Sequence, residues 1–229
     1  KTVAWAETSD EAILEFPDGA NIYYDFDTGR QVTLPKEYTE FDFSPRADQI
    51  AFKYMHIDPE RRVLGVANPD GSNARAIEDL GYNADRVNVN WSPTGNVVAT
   101  WAEFTGLDRQ ELGFIGLQGE NFKGTIVEGR GLEQQYAPDG KQLLYSVYSQ
   151  ASSYNPGLWI VDADGDSIGG HRTELGVATS ADKCSFDSSG SFVYCGVPAN
   201  PEDGFGLSDD FLRGTTDEIV RIDLRSGVT

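Results

Sequence analysis

Histidine, cysteine and methionine are almost missing from this 229-residue chain, which carries two His, two Cys and one Met. Two cysteines exclude a zinc finger and a disulfide scaffold. The two histidines, His56 and His171, leave little for a Ser-His-Asp set, which needs a positioned base, an orienting carboxylate and an exposed Ser. No Gly-x-Ser-x-Gly phrase occurs, since Gly206-Leu207-Ser208-Asp209-Asp210 lacks the final Gly. The sequence therefore argues against an enzyme, and no cofactor is expected. Basic residues are scarce too: 18 Lys and Arg stand against 37 Asp and Glu, a net charge of −19. Such a surface repels phosphate backbones and anionic membranes, which removes nucleic acid from the expected partners. The charge serves solubility, or it complements a cationic partner. No apolar run approaches the ~18 residues of a membrane span, and no secretory leader is visible. No segment carries a helical period.

What the chain has instead is a repeated phrase. Ten Tyr, twelve Phe and four Trp suggest aromatic-filled sheets. An aromatic, a small or polar residue, Pro, one residue and Gly precede an apolar run in Trp91-Ser92-Pro93-Thr94-Gly95 and Tyr136-Ala137-Pro138-Asp139-Gly140. Phe43-Ser44-Pro45-Arg46-Ala47 and the worn Phe186-Asp187-Ser188-Ser189-Gly190 are further copies, and Trp5-Ala6-Glu7 is a degraded first one. From Phe43 onward the leading aromatics recur every 45 to 50 residues. A second phrase, an apolar strand and a turn ending in Gly, is interleaved with the first, as in Tyr24–Gly29, Val66–Gly71, Ile115–Gly119, Ile160–Gly165 and Ile222–Gly227.

Each repeat resolves into four short strands, A to D. In the third, these are predicted at Val87–Trp91, Val97–Glu103, Leu112–Leu117 and Thr125–Glu128. Pro and Gly supply the turn dihedrals between A and B, and Asp-Gly phrases those between C and D. Four-stranded antiparallel units at this period predict an all-β fold, a β-propeller of five visible blades. The expected blades are 1–35, 36–81, 82–129, 130–176 and an incomplete 177–229, forming one domain over 1–229. The aromatic closing each A strand (Trp5, Phe43, Trp91, Tyr136, Phe186) is expected to be buried between blades. Blade five lacks room for its D strand, due at Val228, and Lys1–Trp5 are used as strand A of blade one. The expectation is therefore an open arc of a six-bladed ring.

The phrases at Trp91–Gly95 and Tyr136–Gly140, each followed by an apolar B strand, resemble the WD40-like (PD40) repeats of TolB-type propellers across essentially the whole chain. The runs Ala67–Ala74, Leu143–Ser149 and Leu158–Asp162 are similar to those of uncharacterised bacterial WD40-like surface proteins from candidate phyla. This resemblance implies an extracytoplasmic or cell-surface location, with a membrane anchor outside these residues, and supplies no substrate. The Gly-His and Trp-Asp phrases of eukaryotic WD40 repeats and the Ser-x-Asp-x-Gly box of sialidases are missing, which puts glycan cleavage of that type in doubt.

In a propeller the A–B and C–D turns share one face, and the B–C and D–A connections share the other. The B–C connections are long and dissimilar, at Met55–Arg61, Phe104–Gln110, Ser149–Gly157 and Gly196–Asp217. Long irregular loops either bind or are solvated decoration. If they bind, candidate partner contacts are His56, Asp58, Phe104, Asp108, Tyr148, Tyr154, Phe205 and Phe211. The longest loop carries Phe205, Leu207, Phe211 and Leu212, so it either folds back over its blade or offers these groups to a partner. The function read from the sequence is a non-catalytic module binding a protein or extended ligand. The alternative is an accessory propeller of a hydrolase or lyase whose catalytic part lies elsewhere.

Asp162, Asp164 and Asp166 have some look of a calcium loop, but they occupy a C–D hairpin slot and lack the remaining acids of an EF-hand. No metal site is assigned. Cys184 and Cys195 flank the Ser189-Gly190 turn symmetrically. A two-residue turn places them opposite one another at disulfide distance, whereas a one-residue bulge leaves two thiols.

Overall fold

A computed structural model describes residues 2–208, 212 and 215–225. Regular structure among them is β-strand with short 3-10 turns, the longest being Gly81–Arg86. The first sheet contains β1 (Thr2–Trp5), β2 (Glu11–Glu15), β3 (Asn21–Asp25) and β4 (Arg30–Leu34). The second contains β5 (Tyr38–Phe43), β6 (Ile50–Tyr54), β7 (Val63–Ala67) and β8 (Arg75–Asp79). The third follows with β9 (Val87–Val89), β10 (Val97–Gly106), β11 (Arg109–Gly116) and β12 (Thr125–Val127). The fourth has β13 (Arg130–Tyr136), β14 (Gln142–Tyr148), β15 (Gly157–Asp162) and β16 (Thr173–Ala178). The fifth has β17 (Cys184–Phe186), β18 (Phe192–Pro198) and β19 (Asp217–Asp223). Within each sheet the strands pair in chain order as antiparallel meanders, the arrangement of propeller blades.

The turn phrases do what their chemistry requires. Gly95 sits at φ +82° and donates its N–H to the Ser92 carbonyl at 2.8 Å; Gly140 repeats the bond to Ala137 at 2.8 Å. Ala47 holds the same slot at φ 55° without being glycine, and is retained inside an apolar cluster.

The chain divides into two compact units, Lys1–Trp101 with Phe114–Phe122, and Ala102–Gly113 with Lys123–Thr229. In the first unit, Ile13, Tyr23 and Leu34 of the first sheet pack with Phe41, Phe43, Ile50 and Phe52 of the second. The opposite face of the second sheet, Ala51, Leu64 and Val66, packs with Val87, Trp91, Val98 and Ala99. In the second unit, Leu144, Leu158, Ile160, Leu175 and Val177 of the fourth sheet pack with Val193, Cys195 and Ile222 of the fifth. Alternation along each strand creates two apolar faces per sheet, and burial of each large side chain is worth about 1.5–3 kcal/mol.

Several expectations differ from what is found. Phe43 and Trp91 are buried, and Tyr136 and Phe186 are half-buried, but Trp5 is 61% exposed and stacks on Phe26 at 5.7 Å. Its face of the first sheet points away from the Ile13–Tyr23 cluster. In the third sheet, strand A ends at Val89, while β10 and β11 run on until only Leu107 and Asp108 separate them. The expected loop Phe104–Gln110 is thus a tight hairpin, because extended pairing satisfies backbone groups that a loop would leave to water. The fifth sheet has three strands among the described residues, and the position expected for its D strand lies outside them.

Candidate binding surfaces

In the first unit the β6–β7 connection closes on itself. Asp58 N–H donates to His56 Nδ1 at 3.0 Å, Asp58 Oδ1 accepts from Glu60 N–H at 3.1 Å, and Arg62 Nε donates to the His56 carbonyl at 3.1 Å. The Asp58 cap starts the 3-10 turn Pro59–Arg61. The Arg62 carbonyl accepts from Leu80 N–H at 2.9 Å, tying this loop to the Gly81–Arg86 turn. His56 and Asp58 therefore shape the loop. The groups it presents are Ile57, 92% exposed, and Tyr82 on the linked turn.

In the second unit three connections converge. Arg130 Nε donates to Asp108 Oδ1 at 2.6 Å, and Gln150 N–H donates to Asp108 Oδ2 at 3.1 Å. The Gln150 N–H and the Arg130 guanidinium hold the Asp108 carboxyl below its usual range, and Asp108 in turn raises Arg130. Asp108 thus pins the β10–β11 hairpin to the β14–β15 loop. Arg130 also lies 6.0 Å from the Tyr154 ring centroid. The loop after β18 joins the same structure: Gly206 N–H donates to the Tyr154 carbonyl at 3.0 Å, and Gly204 N–H to Asn155 Oδ1 at 2.9 Å.

Glycine is required where these loops touch. A Cβ on Gly206 would lie 2.7 Å from the Tyr154 carbonyl and 2.8 Å from the Tyr148 ring, and one on Gly131 would collide with the same ring. Tyr148 is clamped between two backbones, and Phe205 is buried. The long loop folds back through Phe205 while leaving Leu207 exposed.

Of the sequence candidates, Asp108, Tyr148, Tyr154 and Phe205 are brought together as the frame of this surface. Phe104 lies in β10, 60% exposed. Phe211 falls outside the described residues. Arg130, Gln150 and Leu107, the last 78% exposed at the hairpin tip, were not foreseen. An open cleft of about 470 Å³ lies beside the frame, lined by Asp108, Glu128, Ser149, Gln150 and Ala151.

Asp162 Oδ2 meets His171 Nδ1 at 2.6 Å, which raises the imidazole's affinity for its proton. Gly169 and Gly170 close the hairpin onto Asp162 backbone groups. Asp164 instead accepts the Ser167 hydroxyl through its carbonyl, and Asp166 is exposed. Among the described residues no group of three or more His, Cys, Asp and Glu is arranged to hold a metal ion. Cys184 and Cys195 face one another in the β17–β18 register and are joined by a disulfide.

The sequence matches no family model and no curated protein. Solved structures similar to it include TolB from Acinetobacter baumannii, at 15% identity and a TM-score of 0.59, covering 95% of this chain and 51% of that one. The β-propeller domain of the Trilobed protease from Pyrococcus furiosus matches at 11% identity and a TM-score of 0.60, over 98% of this chain and 70% of that one. An oligogalacturonate lyase in complex with manganese matches at 13% identity and a TM-score of 0.55, over 91% and 55%. The chain spans about half the length of the TolB it matches. No likeness to candidate-phyla proteins is among these findings. Meandering four-stranded sheets and these likenesses together establish the fold: the chain is built as a β-propeller of blades like those of TolB.

Proposed function

We propose that this chain is a non-catalytic binding module that engages a protein or other extended ligand through its B–C connections, outside the cytoplasm. The observation that carries this reading is the construction of the second unit's loop surface. Ion pair, clamped tyrosine and close glycines fix three connections from three sheets, while Phe104, Leu107 and Leu207 stay exposed upon them. A rigid frame presenting apolar groups lowers the ordering cost of association. The Cys184–Cys195 disulfide supports an oxidising compartment. An accessory role beside a hydrolase or lyase is the second reading, favoured by the peptidase and lyase propellers among the similar structures.

Site-specific photo-crosslinking tests the proposal. A benzophenone side chain at Leu107 should give a discrete adduct in cells of the source organism, while one at Asp139, in an A–B turn, should not. Equal adducts at both positions, or none at Leu107, would reject the loop surface as the binding face.

A further inference from the structure

The second sheet continues past the point where the first stops covering it. Strand pairing puts Tyr38, Tyr54 and Val63 in one row, on the face that also carries Phe43 and Ile50. Leu34, the last residue of β4, is buried in the cluster with Phe43, but Pro35 after it is exposed. The chain turns there into Glu37 and β5, and an open cleft of about 400 Å³ remains beside the tyrosines. All of its lining residues belong to the first unit, apart from the loop surface of the second.

The cleft has an aromatic floor and a corner. A Cβ on Gly65 would lie 2.8 Å from Phe52 Cζ, so glycine lets that ring lie across β7. Tyr38 stacks on Phe52 with centroids 3.8 Å apart and planes at 17°. Tyr54 stands at 89° to Tyr38 with centroids 6.1 Å apart, so two half-buried rings meet at a right angle. Burial, then Tyr54 and Glu37, raise the Tyr38 phenol, which places the Glu37 carboxylate near that ring. On the β8 side, Arg75 pairs with Val66, and Val66 packs on the opposite face of the sheet. The register therefore turns the guanidinium away, while the Arg75 carbonyl lies against Gly65. Among the described residues no hydrogen bond or ion pair engages the Glu37 carboxylate or the two tyrosine hydroxyls.

Ring faces, a carboxylate and a carbonyl all attract positive charge, and none of them suits an anion. The net charge of −19 adds the same preference. Ring faces are weak hydrogen-bond acceptors, so they favour a methylated ammonium over a primary one, whose three N–H groups need partners. The size of the cleft is that of small-molecule sites. We propose that this cleft binds a free solute carrying a methylated ammonium group, with the cation in the Tyr38–Tyr54 corner and Glu37 beside it.

Isothermal titration calorimetry of the 229-residue chain with choline tests the proposal, using its uncharged carbon isostere, dimethylbutanol, as the comparison. Choline should bind, and the isostere should bind at least about ten-fold more weakly. Tyr54→Ala should weaken choline by about ten-fold or more, whereas Tyr54→Phe, which keeps the ring face, should stay within about three-fold. Glu37→Gln should weaken it by about five-fold, and Tyr82→Ala, an exposed ring elsewhere in the unit, should leave it unchanged. Should Tyr54→Ala fail to fold, Glu37→Gln on the exposed rim decides the question. No binding of choline at millimolar concentration, equal affinity for the isostere, or indifference to these substitutions would overturn the proposal. So would binding to phosphatidylcholine vesicles with free choline inert, which would make a lipid headgroup the occupant.

Discussion

Asp42 shows how one side chain links two sheets and carries a cost. Its carboxylate accepts from Trp91 N–H at 2.6 Å and Phe43 N–H at 2.9 Å, joining the second sheet to the start of the third. Burial pushes its carboxyl up to about 6, the two N–H bonds oppose that shift, and nearby Glu7 adds to it. A carboxyl with a raised folded-state value binds more protons folded than unfolded. Its contribution to stability is therefore full at low pH and is lost as pH rises from about 4 through 6. In Asp42→Asn this dependence disappears, along with one acceptor. The stability advantage of the parent over the variant, measured by urea denaturation across pH 4.5 to 8, is expected to shrink as pH rises. A difference independent of pH would show that Asp42 does not titrate in this range.

At the scale of the element, the fifth sheet depends on its staple. Its first strand, β17, spans three residues, Cys184–Phe186. So short an edge has few ladder bonds, and the disulfide to Cys195 fixes its register beside β18. Closing the loop between these cysteines is worth about 2–4 kcal/mol in small domains. The Cys184→Ser/Cys195→Ser variant should lower the melting temperature and expose the amides of β17 to hydrogen exchange before those of β14. Intact mass should rise by about two protons on reduction of the parent. Two thiols freely alkylated in the native parent would contradict the pairing. The loops were harder to read than the strands. Phe104 and Thr105 sit in residues of good strand character, so the extension of β10 was open to inspection in the sequence. The Arg130–Asp108 bond was not, because it joins positions in two different sheets.

At the scale of the whole molecule, charge is the dominant long-range term. A net charge of −19 opposes compaction through self-repulsion. Moving from about 10 mM to 300 mM NaCl shortens the screening length from roughly 30 Å to below 8 Å. Thermal stability should therefore rise with salt over this range, read by circular dichroism at pH 7.5. A flat or falling melting temperature would mean that local ion pairs such as Arg130–Asp108 outweigh the net repulsion.

The repeat, the strand alternation and the turn phrases are local properties, and the sequence by itself determined them. A Pro-x-Gly turn needs only its own dihedrals, and alternation needs only a pleated strand. The facing of Cys184 and Cys195 also follows from a short turn. What tertiary structure alone decided is which aromatic is covered and which loop residue is free. Trp5 and Phe43 are equivalent in the repeat but differ in exposure, because burial depends on a neighbouring sheet that no local pattern encodes. Tyr148 lies half-buried with its ring against the backbone at Gly131 and Gly206, and Phe205 is buried, an environment set by segments far apart in the chain. Leu107 became the exposed tip because hairpin pairing extended until two residues remained.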